Sequence, residues 1–146
     1  WAAEIIYHDH YNDDYEVAYL LEIDEEVVNE IKTDDEVPFL ELVATADVSK
    51  GKKVFGKCKA CHKLGDGENG TGPHLYRIIG RKIASATGFK YSGSLKSLEG
   101  AWTQDELNEF LTKPSNYAPG TTMSFAGLGK VNDRANLVAY LEENTN

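Results

Sequence analysis

Cysteine is scarce in this chain: two among 146 residues, beside one Met and four Pro. Two Cys cannot build a disulfide scaffold, and a domain of this length does not need one, since it buries roughly 70% of its unfolded surface. Positive charge is also short. Fifteen Lys and Arg face 24 Asp and Glu, a net charge of −9. That balance excludes general nucleic-acid binding, which needs cations against phosphates. No run approaches the roughly 18 unbroken apolar residues of a membrane span, so these residues are not expected to cross a bilayer. Sustained apolar–polar alternation is missing, and so is any internal repeat. The chain opens on Trp1 with no signal-peptide pattern, so a preceding stretch is expected to have been removed.

What is present is unevenly spread. Residues 1–46 hold fourteen acids and one base, Lys32, a net −13. Residues 47–146 hold fourteen bases and ten acids, a net +4, together with every Gly, both Cys and the Met. The expected organisation is an acidic extension over 1–46, partly helical or flexible, followed by a mildly basic globular domain over 47–146. In the extension Tyr7, Tyr11, Tyr15, Tyr19, Ile23, Val27 and Ile31 recur every four residues, with Leu20 and Val28 alongside. One long amphipathic helix fits that row, although it drifts by about 40° per step. An extended tether with a short ordered patch fits as well, and is the reading preferred. Pro38 is expected to end whatever precedes it.

The second part reads as short helices and long loops. A first helix is expected over Asp47–Lys57, capped by Asp47 or Ser49. One helical turn is expected over Ser94–Ser97. Thr103-Gln-Asp-Glu106 is a capping box opening a helix through Leu107, Phe110 and Leu111, which Pro114 stops. Asn132 or Asp133 is expected to cap a last helix with Leu137, Tyr140 and Leu141 on one face. The fold class is all-α.

The chemistry sits in Cys58-Lys-Ala-Cys61-His62, the C-x-x-C-H pattern of c-type haem attachment. Two thiols three residues apart on a helical turn reach both vinyl groups of one porphyrin, and the adjacent His projects at the iron. A zinc site would need a second Cys or His pair at suitable spacing. A thioredoxin-like pair would need a βαβ context. For a sixth ligand the chain offers one Met, Met123, in a turn-rich loop rather than in helical periodicity. A lone Met is more often core filler. His8, His10 and His74 are the rivals. His8 and His10, in the acidic extension, are expected to be solvated, or to hold a metal weakly with Asp9. His74, after Pro73 in a loop, is expected at the surface.

From about Asp47 to the end the chain resembles class I cytochrome c of the mitochondrial and bacterial type. The resemblance rests on Gly51-Lys-Lys-Val-Phe55, Cys58–His62, Gly72-Pro73-His-Leu75, Gly80-Arg81, Tyr91-Ser92, Trp102, Pro119-Gly-Thr-Thr-Met123, Phe125-Ala-Gly127 and Arg134–Leu141. The look is nearest to bacterial carriers held to the membrane by an N-terminal anchor and linker. The resemblance implies the class I cytochrome c fold around one covalent haem c on Cys58 and Cys61, with His62 and Met123 as iron ligands. It implies that the Pro73 carbonyl accepts from His62, and that Tyr91 and Trp102 donate to one haem propionate. Arg81 would offset propionate charge and Thr121 would bond near the other propionate. For Trp102 and Tyr91, plain core packing is the alternative.

Two departures stand out. Phe110 occupies a place where the family often has a Tyr bonded to the Met sulfur. Ser115, Asn116 and Thr122 stand where mitochondrial members carry Lys, leaving Lys57, Lys59, Lys63, Lys113 and Lys130 as a weaker basic docking ring. The implied activity is one-electron transfer, not catalysis, by a monomer. The implied partners are a cytochrome bc complex and a terminal oxidase or photosynthetic reaction centre. The implied location is the periplasmic side of a bacterial membrane, with the mitochondrial intermembrane space as the alternative. Two further readings stay open: a haem subunit of a larger complex, and a ligand-binding or peroxidase-like haem protein should Met123 be labile.

Overall fold

A computed structural model of the chain describes residues 37–145. The helical row from Tyr7 to Ile31, the tether reading, and His8 and His10 lie outside the described residues. Among those described, six helices account for the regular structure: α1 (Phe39–Ala44), α2 (Val48–Phe55), α3 (Gly93–Lys96), α4 (Gln104–Thr112), α5 (Pro114–Tyr117) and α6 (Val131–Thr145). The extended structure among them is one isolated antiparallel bridge, Lys82 to Ala101. The all-α expectation agrees.

Local chemistry explains where the helices begin. The Asp47 carboxylate accepts from the Lys50 amide at 3.0 Å, and Thr103 Oγ1 accepts from the Glu106 amide at 3.1 Å. Both satisfy first-turn amides that have no partner within the helix. The Asp47 carboxyl is held below its ordinary pKa chiefly by that Lys50 amide bond. The capping box at Thr103 is half made. The Thr103 amide donates to the Ala101 carbonyl, and the Glu106 carboxylate accepts the Tyr117 hydroxyl. Ser92, not Ser94, caps α3, accepting from the Leu95 amide at 3.4 Å. Pro114 does more than stop α4: it opens α5 from its first helical position, where a missing N–H costs nothing.

Two corrections concern the ends of the domain. The boundary expected between residues 46 and 47 falls earlier. Helix α1 follows Pro38 and buries Phe39 and Val43 in the same core, against α6 and α4. Helix α6 starts at Val131, so Asn132 and Asp133 lie inside its first turn. The Lys130 carbonyl takes the first intrahelical bond, from the Arg134 amide at 3.3 Å. Helix α6 is also buried on more than one face, because α1, α2 and α4 all pack on it; Val138 is fully buried beside Leu137, Tyr140 and Leu141.

The α2–α6 crossing anchors the fold. A Cβ on Gly51 would stand 2.0 Å from the Asn136 carbonyl oxygen, so only glycine permits this backbone approach. Phe55 and Tyr140 pack with ring centroids 5.4 Å apart, and the Asp47 amide reaches Asn136 Oδ1 at 2.8 Å. This crossing holds the end of α2, and with it the turn that carries the two Cys.

Candidate functional site

After Phe55 the chain keeps turning without remaining a regular helix. The Cys58 and Lys59 amides bond the Phe55 carbonyl at 2.8 and 3.0 Å, and the His62 amide bonds the Cys58 carbonyl at 2.9 Å. Cys58, Cys61 and His62 thereby come to line one cavity of about 290 Å³. Both thiols are free; Cys58 is half-buried and Cys61 exposed. Burial pushes the Cys58 thiol up, against a smaller opposing pull from Lys57.

His62 is fixed from two sides. Its Nδ1 lies 2.7 Å from the Pro73 carbonyl oxygen. A carbonyl only accepts, so Nδ1 carries the hydrogen and Nε2 keeps a free lone pair. Gly72 lies directly against the ring. A Cβ there would stand 2.4 Å from His62 Cε1 and 2.8 Å from Nε2. Burial lowers the imidazole pKa, with the Pro73 bond opposing, and the ring is favoured in its neutral, ligating form.

The same cavity is lined by Pro73, Arg81, Tyr91, Trp102, Phe110, Thr121 and Met123. The ten residues that the resemblance assigns to the haem site therefore all line one cavity. Its remaining wall is largely apolar, from Leu107 and Leu111 of α4, Leu137 and Leu141 of α6, and Leu75, Ile78, Leu95 and Phe125. Ile78 and Leu95 went unmarked in the sequence, because Ile78 sits in irregular chain and Leu95 in a four-residue helix, α3, too short for a period to expose a buried face.

Arg81 carries the most telling polar feature. Its Nη1 donates to the Tyr76 carbonyl at 2.7 Å and its Nη2 to the His74 carbonyl at 2.9 Å. Its Nε is buried with no hydrogen-bond partner. Burial pulls the guanidinium below its ordinary pKa, with Tyr91 and Asp66 opposing. A buried N–H left without a partner costs about 1–3 kcal/mol, so an acceptor belongs beside it. An anionic edge of a bound group, such as a carboxylate, meets that need. A largely apolar cavity bearing two free thiols, a neutral imidazole, a thioether and a cationic rim fits a haem in chemical type.

Other expectations are refined. His74 is buried, not at the surface: its amide bonds Asn69 Oδ1 at 3.0 Å and its Nδ1 lies 3.4 Å from Arg81 Nη1. It does not line the cavity that holds Cys58, Cys61 and His62. The Tyr91 hydroxyl accepts from the Ala86 amide at 3.1 Å, and its ring meets Phe89 edge-on at 4.9 Å. Trp102 packs on Phe110 at 4.9 Å, and Phe110 on Tyr117 at 5.6 Å. The Phe110 position contributes aromatic packing and no hydroxyl. Met123 is half-buried, and its amide reaches Thr121 Oγ1 at 3.3 Å.

Comparison with known proteins bears directly on this site. Residues 48–145 match the family model described as cytochrome c. A cytochrome c homolog of Rickettsia typhi is 43% identical over 129 residues, 86% of this chain and 74% of that protein. The cytochrome c-type protein cyt cy of Rhodobacter capsulatus is 50% identical over 98 residues, 66% of this chain and 49% of that protein. The chain thus spans three quarters of one curated relative and about half of the other. Among solved structures, cytochrome cH from Methylobacterium extorquens superposes with a TM-score of 0.63 at 35% identity, over 67% of this chain and 99% of that one.

Proposed function

Because the chain belongs to the cytochrome c family, whose members carry covalent haem c, we propose that it is a one-electron carrier with His62 and Met123 as the axial ligands of its iron. The observation that carries this reading is the single cavity lined by both thiols, the neutral imidazole of His62 and the chain's one thioether. Bound haem supplies a ferric–ferrous couple; the rest is the work of this chain's side chains. Cys58 and Cys61 hold the group covalently. His62 presents Nε2, its tautomer fixed by Pro73. Met123 offers a thioether, which favours the ferrous state. The buried, unpartnered Arg81 Nε would take a propionate and offset its charge, and Tyr91, Trp102 and Thr121 would serve the propionate edge. The apolar wall excludes water and disfavours the extra charge of ferric haem. With His62 and Met123 both holding the iron, no position would be left for a substrate, which suits a carrier rather than an enzyme.

Partners follow the same logic. Lys57, Lys59, Lys63, Lys113 and Lys130 are all exposed. A basic face of this kind suits brief, salt-sensitive docking to acidic surfaces. By family likeness the donor is a cytochrome bc complex, and the acceptor a terminal oxidase or a reaction centre. The working location is the periplasmic side of a bacterial membrane, since thioether attachment follows export. No helix among the described residues is long and apolar enough to cross a membrane. With a membrane anchor in the full-length protein, the acidic extension ahead of Pro38 would act as a tether that raises the effective concentration of the domain near its partners.

Visible spectra of the matured protein, oxidised and reduced, followed by carbon monoxide on the reduced form, test the reading. A low-spin c-type spectrum that the gas leaves unchanged is expected. A shifted spectrum would turn the assignment toward ligand binding or peroxidase chemistry.

A further inference from the structure

The segment that carries Met123 runs from Ala118 to Lys130 between two helices. Bonds in its middle are internal: the Met123 amide to Thr121 Oγ1 at 3.3 Å, and the Phe125 amide to the Met123 carbonyl at 3.0 Å. Both ends, by contrast, are tied to neighbouring helices, the upstream end to a side chain of α4 and the downstream end to α6 and, through it, to α4. Just upstream, the Tyr117 hydroxyl donates to the Glu106 carboxylate, and the Tyr117 ring packs on Phe110 and Trp102. Downstream, Arg134 reaches back from α6. Its Nη1 donates to the Leu128 carbonyl at 2.7 Å and the Gly129 carbonyl at 3.1 Å, and its Nε donates to Asn108 Oδ1 at 2.6 Å. The Leu128 amide also bonds the Leu111 carbonyl at 2.8 Å. Arg134 is buried, and a planar guanidinium that bridges two elements holds their relative position better than a flexible ammonium would.

Glu106 and Asn108 thus act on one loop from one helix, two residues apart. We infer that the pairs Glu106–Tyr117 and Asn108–Arg134 form a two-ended clamp that positions the Met123 loop and sets how readily the sixth position of the iron opens to an outside ligand. These four are positioning residues: they act through the loop backbone and do not ligate the metal. The inference rests on Met123 being the sixth ligand, as proposed above.

Imidazole titration of the ferric holoprotein tests the clamp, because imidazole takes the sixth position whenever Met123 leaves it. Asn108→Ala, Tyr117→Phe and Arg134→Ala are compared with wild type. Val43→Ala, on α1 and outside the cavity lining, gives a fold-destabilised control. Each clamp variant is expected to bind imidazole about tenfold more tightly or better, the effect of losing one hydrogen bond to a charged group. Asn108→Ala and Tyr117→Phe each remove a single bond, so the test stands even where Arg134→Ala fails to fold. Arg134→Lys is expected to recover part of the wild-type resistance. The clamp is overturned if its variants take up imidazole no better than Val43→Ala at matched loss of stability. The two ideas fail differently. A wild-type ferric protein without the long-wavelength sulfur-to-iron band overturns the Met123 ligation, and the clamp with it. A wild type that has the band, beside clamp variants that behave like the control, overturns the clamp alone.

Discussion

The two sides of the haem cavity are built by opposite means. On the His62 side everything is local and close. The ring is bonded to Pro73, wedged by Gly72, and carried on a turn that continues α2. On the Met123 side the proposed ligand sits mid-loop, half-buried, in a segment bonded near both its ends. One side chain is fixed by its own contacts; the other is held at a distance. The contrast teaches that the local stability around a site need not reside in the residues that line it, because a loop opens as a unit with the contacts that hold its ends.

The sharpest way to break this contrast is to damage the rigid side. Gly72→Ala drives a methyl group into the His62 ring. We expect a loss of about 1–3 kcal/mol from overpacking, read by chemical denaturation, together with displaced His62 ring resonances. Met123→Ala strikes the other side and should cost less in packing, below about 2 kcal/mol, because a half-buried loop Met leaves little cavity; loss of the proposed bond to iron adds to that. Its signature is spectral: the reduced protein gains carbon monoxide binding while helicity by circular dichroism is retained.

The smallest effect is one of pH. Burial first, and then Glu106, raises the Tyr117 pKa above its ordinary 10.0. The folded state therefore holds that proton more tightly than the unfolded chain. The resulting stabilisation is whole below pH 10 and is lost as pH climbs from there through the folded value. Denaturation midpoints of wild type should fall more steeply above pH 10 than those of Tyr117→Phe. Equal slopes would mean that the phenol contributes nothing to the upstream tie.

How much of this was legible in the sequence depended on range. Cys58, Cys61 and His62 declare themselves because their chemistry needs fixed local spacing. Helices α2 and α4 were legible from their caps, Asp47 and Thr103, for the same reason. Helix α1 was not. Phe39 and Val43 make one i, i+4 pair inside an acidic stretch, and only packing against α4 and α6 gives them meaning. Helix α5 was hidden because Pro114 reads equally as a stop and as a start. The buried state of His74 was hidden too. It depends on Asn69 and Arg81, and no local pattern forecasts a guanidinium folding back over the carbonyls of His74 and Tyr76. The ties of the Met123 loop belong to the same class, since Arg134 and Asn108 meet across 26 positions.

Helix α1 has a mechanical consequence. It seats Phe39 and Val43 on α6 and α4, and none of its residues lines the haem cavity. A pull on the chain ahead of Pro38 is therefore taken up by that seat before it reaches any ligand. The arrangement works as a strain relief, like the collar where a cable enters a plug. Any load arriving along the chain at Pro38 meets two buried side chains, Phe39 and Val43, before it meets the residues that line the cavity.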